Sequence, residues 1–234
     1  LTFVHVGDGE QMGVWDFYQD NAKGKINVID IDAFLAHFAD DRKRLDSFAH
    51  PTLKRGWNDW RNQQDNHSIR NQLPIMRSLP CPMSRATNIR NIRKQIRTGL
   101  GVPIIPGSSI KGAIRTAILS RMAKDNPDMV KEKLDEILQI RSKPQHADDP
   151  LDNYLFGEEP HFDLMRALHV SDVAFNDTDV SVIRVKVLGL GKDGSYYKSR
   201  GEKDMEIFAE AIKPGSNGRL KITLDRYLMD DPHC

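Results

Sequence analysis

Between Asn66 and Lys124 the chain has no aspartate or glutamate, although its 234 residues include 33 acids. The stretch carries eleven cations instead: Arg70, Arg77, Arg85, Arg90, Arg93, Lys94, Arg97, Lys111, Arg115, Arg121 and Lys124. The whole chain has a formal charge of only +1, so everything outside this block is acidic on balance. Solvated surfaces ordinarily mix the two signs. A single-sign block of this length is the electrostatic footprint of a polyanion ligand, nucleic acid above all. The competing reading is a basic face with no ligand. Cysteine is scarce as well: Cys81 and Cys234 are the two in the chain, and they form no CxxC pair. That argues against a disulfide scaffold or a zinc knuckle and fits a reducing cytoplasm. No apolar run approaches the about 18 residues needed to span a bilayer, so no membrane partner is expected. The first residue is Leu1, not Met, so the missing targeting segment carries little weight.

Local patterning predicts an α+β chain. Residues 1–6 read as a strand broken by Gly7-Asp8-Gly9, and residues 25–31 as a second strand. Asp32 is suited to cap a short helix over 33–38. Residues 40–65 read as helical, and 73–82, with three prolines, as an irregular connection. Residues 83–101 fit a hairpin or a mobile arm. Ile110, Ile114, Ala117 and Ile118 recur at helical spacing and predict a helix over 109–124. A second helix is expected over 127–140, with Pro127 in its first turn. Residues 143–159 read as a linker; 168–175, 180–188, 206–212 and 220–224 read as strands. Helices between strand runs suggest a sandwich, with helices on one face of a mostly antiparallel sheet.

The best local signal is the turn Ile105-Pro106-Gly107-Ser108-Ser109-Ile110-Lys111-Gly112. Gly107 allows special backbone geometry and close approach by a ligand. Ser108 or Ser109 is placed to cap the following helix, whose N-terminal dipole and free N–H groups suit phosphate. Lys111 and Arg115 are four apart, on one face just inside that end. The segment is not a Walker A loop, because its lysine precedes the second glycine. Gly189-Leu190-Gly191-Lys192-Asp193-Gly194 matches GxGxxG, but no helix start or βαβ unit follows it. Arg85, Arg90, Arg93 and Arg97 lie in a segment without Phe, Tyr or Trp, so phosphate contact is expected there and not base stacking. Tyr196 and Tyr197, beside Lys198 and Arg200, form a weaker nucleic-acid candidate whose alternative is a hairpin tip.

Catalytic patterns are thin. The eight histidines show no metal-ligand spacing. His5 is a candidate acid or base on RNA, against the more common structural histidine. Asp30 and Asp32 suit a metal or, more simply, capping and turn chemistry. No Ser/His/Asp or Cys/His arrangement can be argued, and no cofactor is expected.

Three blocks carry a family resemblance. QIRTGLGVPIIPGSSIKGAIRTAIL, over residues 95–119, resembles the glycine-rich loop and first helix of the RAMP proteins of CRISPR type III complexes. LTFVHVGDGE resembles their first strand and turn, departing at Phe3 and Asp8. DLMRALHVSDVAF, over 163–175, resembles a further strand of the same proteins. The resemblance implies a ferredoxin-like, RRM-type RAMP fold in two half-domains with helical insertions. The first half is expected over residues 1–142, with the basic arm and the glycine-rich loop. The second, β-rich and incomplete, is expected over 143–234. The resemblance also implies a non-catalytic, crRNA-binding subunit of a type III-A (Csm) complex. Such a subunit caps the 3′ end of the guide, supports crRNA maturation and antiviral defence, and packs against the RAMP backbone subunit. Gly107, Ser108, Ser109, Lys111 and Gly112 would form its loop, with Arg115 behind. The alternatives are a metal-independent crRNA-processing endoribonuclease and a backbone RAMP subunit that cleaves target RNA.

Overall fold

The computed structural model describes residues 2–48, 53–63, 66, 71–82, 88–139, 149–157, 163–186, 188–190, 196–198 and 206–229. In chain order the elements are β1 Gly7–Met12, β2 Phe17–Asp20, β3 Lys25–Ile29, α1 Ile31–His37, α2 Arg42–Phe48, α3 Trp57–Asn62, β4 Ile75–Pro80 and β5 Ile92–Gln95. They continue through β6 Ile104–Ile105, α4 Gly107–Asp125, α5 Pro127–Gln139, α6 Asp149–Phe156, β7 Leu168–Val170, β8 Val173–Ala174 and β9 Val180–Lys186. The last are β10 Leu188–Leu190, β11 Tyr196–Lys198, β12 Glu206–Ile212, β13 Ile222–Leu224 and α7 Arg226–Met229. Two compact units result: Leu1–Ile104 with Phe175–Asn217, and Ile105–Ala174 with Gly218–Cys234. The division is discontinuous, whereas the sequence suggested one boundary after residue 142. The physical reason is strand pairing: β12 returns to pair with β5, and β9 pairs with β12.

The first unit contains a four-stranded sheet in the order β1-β5-β12-β9. Its β5 and β12 run parallel, and both outer pairs are antiparallel. The β12–β9 ladder is unbroken from Glu206↔Lys186 to Ile212↔Val180. A second, antiparallel sheet has the order β2-β3-β4. Of the hairpin or arm expected over 83–101, residues 83–87 lie outside the described residues; the rest contains the inner strand β5, with Ile89, Ile92 and Gln95 buried. The expected connection over 73–82 contains β4, where Pro80 is tolerated because β4 is the edge strand of its sheet. The first strand starts at Gly7, where a break was expected, and the segment before it makes a single bridge, Val4 to Ile212. The cap of α1 is Asp30, not Asp32: its carboxylate accepts from the Ala33 N–H at 2.9 Å.

The core of this unit gathers Phe34, Phe38, Trp57 and Trp60 with Tyr18, Ile29, Leu53 and Leu73. Phe34 and Trp57 meet edge to face at 4.8 Å, and Trp57 and Trp60 at 5.3 Å, the geometry that ring quadrupoles favour. The hairpin β10–β11 places Tyr196–Lys198 in a ladder with Leu188–Leu190.

The second unit is mainly helical. A small core of Leu155, Phe156 and Met165 packs with Ile114, Leu119, Met129 and Leu168. Helix α6 forms inside the expected linker because Leu155 and Phe156 bury there. The antiparallel pair β7–β13, from Ile222↔Val170 to Leu224↔Leu168, lies against α4.

Candidate nucleic-acid interface

Helix α4 begins at Gly107, after Pro106 as the N-cap residue, and no side chain of the loop caps it. The expected role of Ser108 or Ser109 is taken by Asp172, whose Oδ1 accepts from the Gly107 N–H at 2.8 Å. A carboxylate thus already meets part of the positive end of the helix. The need for glycine at 107 has a different origin from the one expected. Gly107 is not among the residues of positive φ. Instead, a Cβ there would lie 2.0 Å from the Val170 carbonyl oxygen, so the helix start and β7 approach too closely for any side chain.

This close approach shapes a groove of about 430 Å³, lined by Gly107, Ser108, Lys111, Leu168, His169, Val170, Ser171, Lys221 and Thr223. One wall is the first turn of α4 and the other is the β7–β13 pair. A backbone bond from Ser171 N–H to the Lys221 carbonyl (3.0 Å) and a bond from Lys221 N–H to the Ser171 side-chain Oγ (2.9 Å) fix that wall. Neither Lys111 nor Lys221 makes an ion pair with a described residue. The groove therefore presents two ammonium groups, a serine hydroxyl and an exposed imidazole. Ser109 and Gly112 are exposed on α4 but do not line it.

The other expected cations divide sharply. Arg115 is not a free cation. It donates to Asp152 at 2.6 and 3.0 Å and to Asp163 at 2.6 Å, with its guanidinium 4.1 Å above the Phe156 ring. Hydrogen bonding to Asp152, then to Asp163, outweighs burial and raises its pKa further above the ordinary arginine value. The two aspartates come from outside the acid-free block. We expect Arg115→Ala to lower the stability of this unit by about 1–2 kcal/mol, because charge-assisted bonds are lost from a partly exposed group. Urea unfolding measures it; a midpoint equal to the parent's would show that these bonds contribute nothing.

Arg77 and Arg97 are also turned inward. Arg77 Nη2 donates to Glu210 Oε1 at 3.0 Å, and Arg97 Nη1 to Asp177 at 2.6 Å and to the Gly101 carbonyl at 2.7 Å. Lys94 pairs with Glu10 at 2.6 Å, and Arg121 with Asp125 at 2.8 Å. Arg85 lies outside the described residues. Arg90 and Arg93 are exposed, without a described ion pair; Arg93 belongs to strand β5, so no helical turn aligns it with Arg90 and Arg97. Folding thus returns acids to much of a block that has none in sequence. Among the described residues, no group of three His, Cys, Asp or Glu is arranged to hold a metal. None of their helices is long and apolar enough to cross a membrane.

A mixed α+β chain with this loop at the head of a long helix fits one class of proteins. The chain belongs to the RAMP superfamily, whose family model matches residues 1–231. Its fold is the α+β, ferredoxin-like RAMP fold. Among solved structures it is similar to the crystal structure of T. onnurineus Csm5, with a TM-score of 0.74 and 24% identity, covering 98% of this chain and 67% of that one. It is also similar to a chain in the cryo-EM structure of a Csm-crRNA-target RNA ternary complex of a type III-A CRISPR-Cas system. There the TM-score is 0.70 and the identity 23%, covering 99% of this chain and 65% of that one. The chain spans about two thirds of the length of these structures. A search of the curated proteins finds no match.

Proposed function

We propose that the chain is a non-catalytic crRNA-binding subunit of a type III-A CRISPR effector complex, seated at the 3′ end of the guide and packed against a RAMP backbone subunit in the cytoplasm. The observation that carries this reading is the Lys111–Lys221 groove at the glycine-rich loop of a RAMP fold. Two ammonium groups without an ion pair among the described residues, beside a serine hydroxyl, suit phosphates, which position a strand without reading its sequence. Gly107, Ser108 and Lys111 supply one wall of the site. Lys221 and His169 supply the other. Arg90 and Arg93 add phosphate contacts elsewhere on the guide, and Arg115 supports the loop from behind.

A salt titration with a single-stranded RNA tests it. Each neutralised phosphate contributes about −0.7 to the slope of log K against log salt. We expect Lys111→Ala with Lys221→Ala to flatten the slope by about 1.4, while stability stays within about 0.5 kcal/mol of the parent. An unchanged slope sinks the groove assignment. The same samples, incubated with crRNA precursor and target RNA in Mg²⁺, Mn²⁺ or EDTA, are expected to return intact RNA. Metal-free cleavage lost on His5→Ala would establish the endoribonuclease alternative instead.

A further inference from the structure

A second groove, in the first unit, pairs a hydrogen-bond acceptor with a cation. It holds about 490 Å³ and is lined by His5, Gly7, Gly9, Glu10, Gln11 and Arg93. His5 Nδ1 lies 2.7 Å from the Glu210 carbonyl oxygen. A carbonyl oxygen only accepts, so Nδ1 carries the proton, and in the neutral ring Nε2 is left as a lone-pair acceptor. The space over Nε2 is kept open by Gly7, where a Cβ would lie 3.1 Å from that nitrogen. Arg93 is exposed on β5, opposite Gln11 in the β1–β5 ladder, and makes no ion pair with a described residue. The one acid of the groove, Glu10, is met by Lys94 Nζ at 2.6 Å.

An unprotonated nitrogen repels a phosphate oxygen but accepts from a hydroxyl, and a guanidinium does the reverse. One groove offering both is complementary to a unit that carries a hydroxyl donor next to a phosphate. In a nucleic-acid strand that unit is a ribonucleotide, and the 2′-hydroxyl is the group that distinguishes RNA from DNA. We propose that this groove takes one ribose–phosphate unit, with His5 Nε2 accepting from the 2′-hydroxyl and Arg93 meeting the phosphate. His5 is then a specificity-determining residue, and Gly7 secures access to it. The inference rests on the RNA-binding reading above and adds to it a residue that reads the sugar.

The test compares Kd by fluorescence anisotropy for a labelled, unstructured RNA and the DNA of the same sequence, using the purified full chain. The parent is expected to favour RNA by about three- to tenfold, the value of one hydrogen bond. Gly7→Ala sets a methyl group 3.1 Å from Nε2, in the space a hydroxyl would take. It and His5→Ala are expected to bring the RNA-to-DNA ratio toward one by weakening RNA binding alone. Arg93→Ala is expected to weaken RNA and DNA equally, as is the Lys111/Lys221 double variant. A parent that binds RNA and DNA equally, or a Gly7→Ala protein that keeps the full preference, overturns this inference and leaves the proposed function standing. A parent that binds neither strand overturns both.

Discussion

Glu210→Ala is expected to destabilise the first unit by about 3–5 kcal/mol, the effect of removing one partner from a buried ion pair. Glu210 is fully buried on β12, among apolar neighbours in sequence such as Phe208, Ala209 and Ala211. A carboxylate suits that position because each of its oxygens accepts a hydrogen bond. Oε1 accepts from Arg77 at 3.0 Å, Oε2 accepts from the Gln95 backbone N–H at 3.0 Å, and Arg97 Nε stands 3.7 Å from Oε2. The two arginine side chains are only 12% and 11% exposed. Without the carboxylate, Arg77 is left as a buried charge with no counter-ion among the described residues, and Arg97 keeps, among them, Asp177. Because a domain of ordinary stability has only about 5–15 kcal/mol in hand, the variant should be near the threshold of folding. Glu210→Gln separates charge from shape: it keeps an acceptor for the Gln95 N–H but not the charge, and should fall between parent and Glu210→Ala. Urea unfolding provides the numbers. A Glu210→Ala midpoint close to the parent's would mean that the arginines find other partners and that the cluster is not what joins β4, β5 and β12.

That cluster also marks the limit of what could be read from the sequence. The acid-free block reads as a surface for a polyanion because no acid falls within it along the chain. Arg77, Arg97 and Arg115 acquire them from Glu210, Asp177, Asp152 and Asp163, across sequence separations that no local pattern encodes. Periodicity served well where packing is local. The helix at 109–124 and the helix begun by Pro127 are both present, with ends shifted by a residue or two. The strand at 206–212 has the bounds expected of it. Periodicity failed at β5, where Arg93 and Lys94 between Ile92 and Gln95 hide an inner strand behind a polar composition. It failed again at α6, where proline and aspartate outweighed the apolar pair Leu155 and Phe156. The loop itself was legible down to Gly107, Ser108 and Lys111. Its opposite wall was not: Lys221 stands more than a hundred residues away, and only the β7–β13 pairing brings it to the groove.

The second large effect is expected at Gly107. A Gly→Ala change inside a helix ordinarily gains about 1 kcal/mol. At this position a methyl group would lie 2.0 Å from the Val170 carbonyl oxygen, 2.8 Å from the Val170 carbonyl carbon and 2.9 Å from the Ser171 carbonyl carbon. All three obstacles are backbone, so no side-chain rotation relieves them. Either β7 or the start of α4 must move, and the hydrogen bond from the Gly107 N–H to Asp172 moves with it. Overpacking against yielding side chains costs about 1–3 kcal/mol, and a rigid obstacle should lie at or above the top of that range. Gly112→Ala is the control. It lies on the same helix, and a Cβ there meets nothing within 4 Å, so this variant should match or slightly exceed the parent in stability. The two variants also separate fold from function, because the contact at Gly107 sets the width of the groove between Lys111 and Lys221. Measured at a temperature where both are folded, Gly107→Ala should bind RNA more weakly than Gly112→Ala. A Gly107→Ala protein that melts with the parent and keeps its RNA affinity would show that α4 and β7 need not be in contact, and that the groove between them is not where the strand lies.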